Sequence, residues 1–277
     1  MDIDIIELIK YIFLGILQGL TEPIPVSSSG HLVMARELFG IEASGLSFEI
    51  FLNTASLIAV LYIYWKDIFE IAKNFLRYVF KKDRDIEATT DFKYVIYLII
   101  ATIPVGVLGF LLKDVIGDNV SIGFVGLMLL VTGTALWFIK NKSGVKRDGE
   151  LTVKDSIIVG LSQCVALIPG ISRSGATLVG SMAVGLEKKN ALRFVFLLYI
   201  PVSLGTAILS ISDIATDPML DTLLVPYLAS FVVTIIATYI GFKLLEGALT
   251  SGRLIYFSYY CFAAGIFAIM YQFIVLS

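Results

Sequence analysis

Cysteine occurs only twice in the 277 residues, and charged residues make up only 16% of the chain. Cys164 and Cys261 lie far apart, in apolar stretches and without metal-ligand spacing, so they read as buried thiols rather than a disulfide or a metal site. A formal net charge of -2 is too small to point to a nucleic-acid partner or an acidic tail. The N-terminus lacks a small-residue cleavage site and sets Asp2, Asp4 and Glu7 ahead of its apolar run, so it does not read as a removable signal peptide. Histidine is present once, as His31. Apolar residues, by contrast, make up 57% of the chain, the mean hydropathy is +0.89, and apolar runs of about 20 residues recur. Lipid is therefore the expected solvent, and the chain reads as a single all-α, polytopic membrane domain.

Six stretches are long enough to cross a hydrocarbon core of roughly 30 Å as helices: 46–65, 93–113, 119–139, 191–212, 223–247 and 252–276. Two more, 5–39 and 155–185, are apolar at both ends but interrupted by "EPIPVSSSG" and "PGISRSG". Such a break exposes backbone groups that lipid cannot satisfy, so each segment is expected to be a re-entrant hairpin of two short helices sheltered by protein or a wet cavity. The stretches 66–93 and 140–154 are rich in Lys and Arg and should be cytoplasmic, whereas the acidic 114–118 and 213–222 should lie outside, as should both termini. The segment "IFEIAKNFLRYVFKK" suits either a helix lying at the inner interface or a solvated linker helix.

The two interrupted segments are similar to each other. A constant offset of 145 positions aligns Gly15 with Gly160, Gln18 with Gln163, Ser27 with Ser172, Ser29 with Ser174 and Gly30 with Gly175. Each half, 1–140 and 155–277, then consists of one hairpin and three crossings, and an odd number of crossings turns the second half upside down. An inverted repeat brings the two breaks together near the midplane. A charged side chain there costs on the order of 2.5 to 3.5 kcal/mol on insertion scales, so Glu22 and Arg173 should face each other or a wet cavity. Around them stand Ser27, Ser28, Ser29, Ser172, Ser174 and Thr177, with Gly30 and Gly170 in turns that free backbone N–H groups. Such a basket fits a phosphate group, to which His31 would add a proton carrier or a nucleophile.

The runs "QGLTEPIPVSSSGH" and "PGISRSGAT", followed by "ALRFVFLLYIPV", resemble the undecaprenyl-pyrophosphate phosphatase family of the bacitracin-resistance type, and the resemblance covers nearly the whole chain. Its paired-acid signature falls on Gln18 and Glu22, its serine motif on Pro25 through His31, and its arginine motif on Pro169 through Thr177. Gln18 is an amide variant of the first acid, and Asn53 stands where Gln or His is expected. The resemblance implies hydrolysis of undecaprenyl diphosphate to undecaprenyl phosphate and inorganic phosphate in the bacterial cell (inner) membrane, a response to divalent cations and tolerance to bacitracin, while the loop charges make the first hairpin, and with it the site, open outward and the second hairpin open inward. The polyprenyl tail would stay in membrane lipid while the headgroup enters the cavity; a homodimer is compatible with this reading.

On this reading Arg173 and the serine and backbone donors hold the terminal phosphate, while Glu22 is a base or holds Mg²⁺ or Ca²⁺. Ser28 is the first choice as nucleophile with His31 as acid/base; attack by His31 or by water directly remains open. Glu49 is expected to orient His31 or the metal, or else to be an interfacial carboxylate. The rival is a polyprenyl-phosphate transporter or flippase, because broken helices in inverted repeats are common in transporters.

Overall fold

The computed structural model describes residues 4–41, 46–112, 120–142, 144–216 and 222–275. The expected outer turn at 114–118 and much of 213–222 lie outside the described residues. The fold is all-helical: α1 (Ile5–Thr21), α2 (Ser28–Phe39), α3 (Leu46–Ile63), α4 (Trp65–Phe80), α5 (Ile86–Leu112), α6 (Ile122–Ile139), α7 (Val153–Val165), α8 (Arg173–Ala183), α9 (Lys188–Leu209), α10 (Ile211–Ala215), α11 (Leu224–Thr250) and α12 (Ile255–Val275). Among the described residues the only β-type pairing is one isolated bridge, Lys146 to Leu186.

Five helices, α5, α6, α9, α11 and α12, are each long and apolar enough to cross a membrane. Their outer faces carry exposed Phe138, Leu244 and Phe273, as a lipid-facing surface requires. The expected span at 46–65 qualifies only jointly with α4, from which α3 is bent by 71°. α4 exposes Trp65, Phe69, Leu76 and Phe80 along one side and buries Ile71 and Asn74 on the other. The two interrupted stretches form α1–α2 and α7–α8; α2, α7 and α8 have 12, 13 and 11 residues and reach only about 16–20 Å at 1.5 Å per residue. Each is too short to cross alone, and the members of each pair pack on one another.

Packing is exchanged between the halves, α1 against α11 and α7 against α5, and small residues permit it. A Cβ on Gly15 would lie 2.5 Å from Ser230 O, and one on Gly160 would lie 2.6 Å from Ala101 O. The core sits between α3, α9 and α11, where Tyr64 stacks on Phe196 and Phe242 meets both rings edge-on. At the end of the molecule carrying the basic loops, Arg193 on α9 bonds Asp67 on α4 at 2.6 Å and Asp148 of the 140–154 stretch.

Candidate active site

α1 stops at Thr21 because Pro23 and Pro25 cannot donate helical hydrogen bonds. The chain turns through 22–27 and restarts with Ser27 as N-cap, its Oγ accepting from Gly30 N at 3.2 Å. Ser27 has φ 68°, a left-handed value that a residue with a Cβ adopts only at a cost of order 1–3 kcal/mol. The second break repeats the design: Gly170 takes φ +92°, and Ser172 caps α8 by accepting from Gly175 N at 3.0 Å. Ser27 and Ser29 hydroxyls lie 3.4 Å apart, and those of Ser172 and Ser174 lie 3.1 Å apart. The breaks touch, with Ser174 Oγ donating to Ile24 O at 3.3 Å.

A polar cavity of ≈ 370 Å³ opens between them. The first break supplies Glu22, Ser27, Ser28 and Ser29, the second supplies Ser172 and Arg173, and α3 supplies Glu49 and Asn53. Glu22 is held from three sides: Asn53 Nδ2 donates to Oε1 at 2.9 Å, Gln18 Nε2 donates to Oε2 at 3.0 Å, and the Ser28 hydroxyl donates to the same Oε2. Arg173 donates to Ser203 Oγ at 3.2 Å and lies 5.7 Å from the centre of the Tyr199 ring. The N-termini of α2 and α8 both meet this space, and their free N–H groups favour an anion. Glu22 and Arg173 also border a smaller, mainly apolar cavity reaching Gln163, Thr177 and Tyr199.

Residues 11–267 match the family described as bacitracin resistance protein BacA. The chain belongs to that family. Among its relatives, undecaprenyl-diphosphatase 2 of Bacillus thuringiensis (strain Al Hakam) is 53% identical over 265 residues, covering 95% of this chain and 97% of the relative. Undecaprenyl-diphosphatase 1 of Bacillus licheniformis is 53% identical over 272 residues, 97% of this chain and 99% of the relative. The undecaprenyl-diphosphatase of Oceanobacillus iheyensis is 51% identical over 269 residues, 95% and 96% of the two chains.

In this BacA-family chain, several residues expected at the site stand behind it. Gln18 is buried and reaches the cavity only through Glu22. Gly30 sits where a Cβ would press on Val125, and Thr177 donates to Arg173 O at 2.7 Å, securing the first turn of α8. His31 departs most from expectation: its buried ring is not among the residues lining the cavity, and its nitrogens are engaged elsewhere, Nδ1 2.7 Å from Ser27 O and Nε2 2.8 Å from the Tyr260 hydroxyl. Glu49 lines the cavity without a bond to His31 among the hydrogen bonds of that ring. Tyr199 was not foreseen; its hydroxyl donates to Asn53 O at 3.2 Å and lies beside Glu22 and Ser203. Its only sequence signal is its place in "FLLYIPV" after the second break.

Proposed function

We infer that this chain hydrolyses undecaprenyl diphosphate to undecaprenyl phosphate and inorganic phosphate, recycling the lipid carrier for cell-wall synthesis and giving tolerance to bacitracin. The names of its relatives favour the hydrolase over the transporter or flippase. One observation carries the mechanism: the Ser28 hydroxyl donates to the Glu22 carboxylate inside a cavity that also holds Arg173. This is a nucleophile and its base beside a cation.

Arg173, the serine hydroxyls and the N–H groups of α2 and α8 hold the terminal phosphate and stabilise charge building on its oxygens. Ser28 Oγ attacks that phosphorus and passes its proton to Glu22; the bond to the bridging oxygen breaks, and undecaprenyl phosphate leaves. Water then attacks the phosphoserine, losing a proton to the phosphate oxygens; the Oγ–P bond breaks, Glu22 returns its proton to Ser28 Oγ, and inorganic phosphate leaves. Two carboxylates, Glu22 and Glu49, face a cavity otherwise rich in hydroxyls, a donor set that suits Mg²⁺ or Ca²⁺ once phosphate oxygens complete the shell. A divalent ion there would offset the charge of the diphosphate.

We place each half of the chain in one inverted repeat, its interrupted segment a re-entrant hairpin. The matching approaches of Gly15 to α11 and Gly160 to α5 support this, as does the reciprocal contact of Gly126 with Gly265. Glu49 and Asn53 lie early in α3, at the end away from the basic α4, so the cavity opens to the outer side of the cell membrane, the polyprenyl tail remaining in lipid. On this placement α4 lies along the inner interface.

The test uses purified protein in detergent, where sidedness is lost, with a short-chain polyprenyl diphosphate. Release of one phosphate per monophosphate lipid formed is expected; lipid bound intact would favour a carrier or a binder.

A further inference from the structure

A backbone carbonyl has no hydrogen to give, so the 2.7 Å contact between His31 Nδ1 and Ser27 O requires Nδ1 to carry the proton. In the neutral ring Nε2 then holds the lone pair, and the Tyr260 hydroxyl 2.8 Å away donates to it. The two rings lie 5.5 Å apart and within 11° of parallel. Both nitrogens are engaged, and His31 is not among the residues lining the polar cavity. The Ser27 carbonyl meanwhile accepts twice from this one residue, from His31 N at 3.1 Å as well as from Nδ1. Ser27 is the residue with the left-handed φ, and the next side chain in sequence is the Ser28 hydroxyl on Glu22. A strained peptide persists only where its surroundings fix it.

α12 braces the same break at two consecutive residues. Beside Tyr260, the Cys261 thiol donates to Pro25 O at 3.8 Å. We propose that His31 is a positioning residue and Tyr260 its anchor: Tyr260 fixes the ring through Nε2, the ring's Nδ1–H holds the Ser27 carbonyl, and the resulting turn presents Ser28 Oγ to Glu22 and the terminal phosphate. The proposal rests on Ser28 being the nucleophile. It assigns His31 no proton transfer and gives α12 a direct part in aiming the site.

Paired amides separate this from acid/base catalysis. His31→Asn puts an amide N–H near the position of Nδ1, whereas His31→Gln puts one near Nε2. Phosphate release and the pH dependence of kcat/KM are measured in detergent for wild type, both variants and Tyr260→Phe, with unfolding temperatures as the check on folding. His31→Asn is expected to keep kcat within roughly tenfold of wild type and to keep the shape of the pH profile. His31→Gln should fall further, and Tyr260→Phe should lose about fivefold in kcat at unchanged KM, the worth of one neutral hydrogen bond. Loss of ~10²–10⁴-fold in His31→Asn and His31→Gln alike, with a limb missing from the pH profile, would make His31 a proton carrier and overturn the proposal. So would a Tyr260→Phe enzyme with wild-type kcat, a conservative change that decides the matter even where a His31 variant fails to fold. Wild type that releases no phosphate would instead overturn the phosphatase reading itself.

Discussion

Glu22 and Arg173 are not spent on each other. The carboxylate takes neutral donors from Gln18, Asn53 and Ser28, and the guanidinium bonds the neutral Ser203, so the opposite charges face one shared space. Both groups thus keep neutral partners while lining the cavity proposed for the phosphate. Removing one donor to a charged oxygen weakens this by about 1.5–3 kcal/mol, so Asn53→Ala should lower kcat/KM roughly tenfold or more in a phosphate-release assay. Asn53→Asp should cost more, because a second carboxylate would face Glu22. That Glu22 and Arg173 would share a cavity was legible in the sequence, because ionisable groups inside apolar breaks are costly unless they face each other or a wet space. Tyr199 and Tyr260 were not, because an aromatic residue on an apolar helix looks like packing until the fold shows its hydroxyl's partner. His31 was legible as close to the break but not as bonded to Ser27 and Tyr260, a matter of ring orientation that spacing does not encode.

The elements that matter most are the two interrupted helix pairs, α1–α2 and α7–α8, and glycine lets them pack closely on α11 and α5. At Gly15 a Cβ would lie 2.5 Å from the Ser230 carbonyl, and at Gly160 it would lie 2.6 Å from that of Ala101. Gly15→Ala and Gly160→Ala should therefore each destabilise the fold by about 1–3 kcal/mol, by forcing α1 from α11 or α7 from α5. Gly205→Ala on α9, where nothing lies within 4 Å of the added carbon, should be neutral or slightly stabilising. Thermal unfolding in detergent separates the three. The Pro and Gly interruptions located both breaks in the sequence to within a few residues. The end of the span near residue 65 and a separate amphipathic helix after it were expected from Lys66, Asp67 and the basic stretch that follows, whereas the 71° angle between α3 and α4 was not.

For the molecule as a whole, the Arg193 cluster ties α9 to α4 and to the 140–154 stretch. Burial raises the Asp148 carboxyl above its ordinary range, against the pull of the Arg193 hydrogen bond. A carboxyl raised in the fold costs stability while ionised, and that stability returns as pH falls through its folded pKa. Arg193→Ala removes the opposing pull, so its deficit, of order 1–3 kcal/mol given the partial exposure of these groups, should be largest at about pH 7.5 and shrink toward about pH 5. Unfolding temperatures at both pH values check the sign. Hydropathy and loop charge predicted a many-helix membrane protein, but not that α9 would be pinned by Asp67, 126 positions away. The most direct measurement is turnover of a polyprenyl diphosphate by Glu22→Ala and Arg173→Ala, each confirmed folded. Both should release no phosphate above background; near-wild-type release by either would mean that the chemistry lies outside the cavity the two residues share.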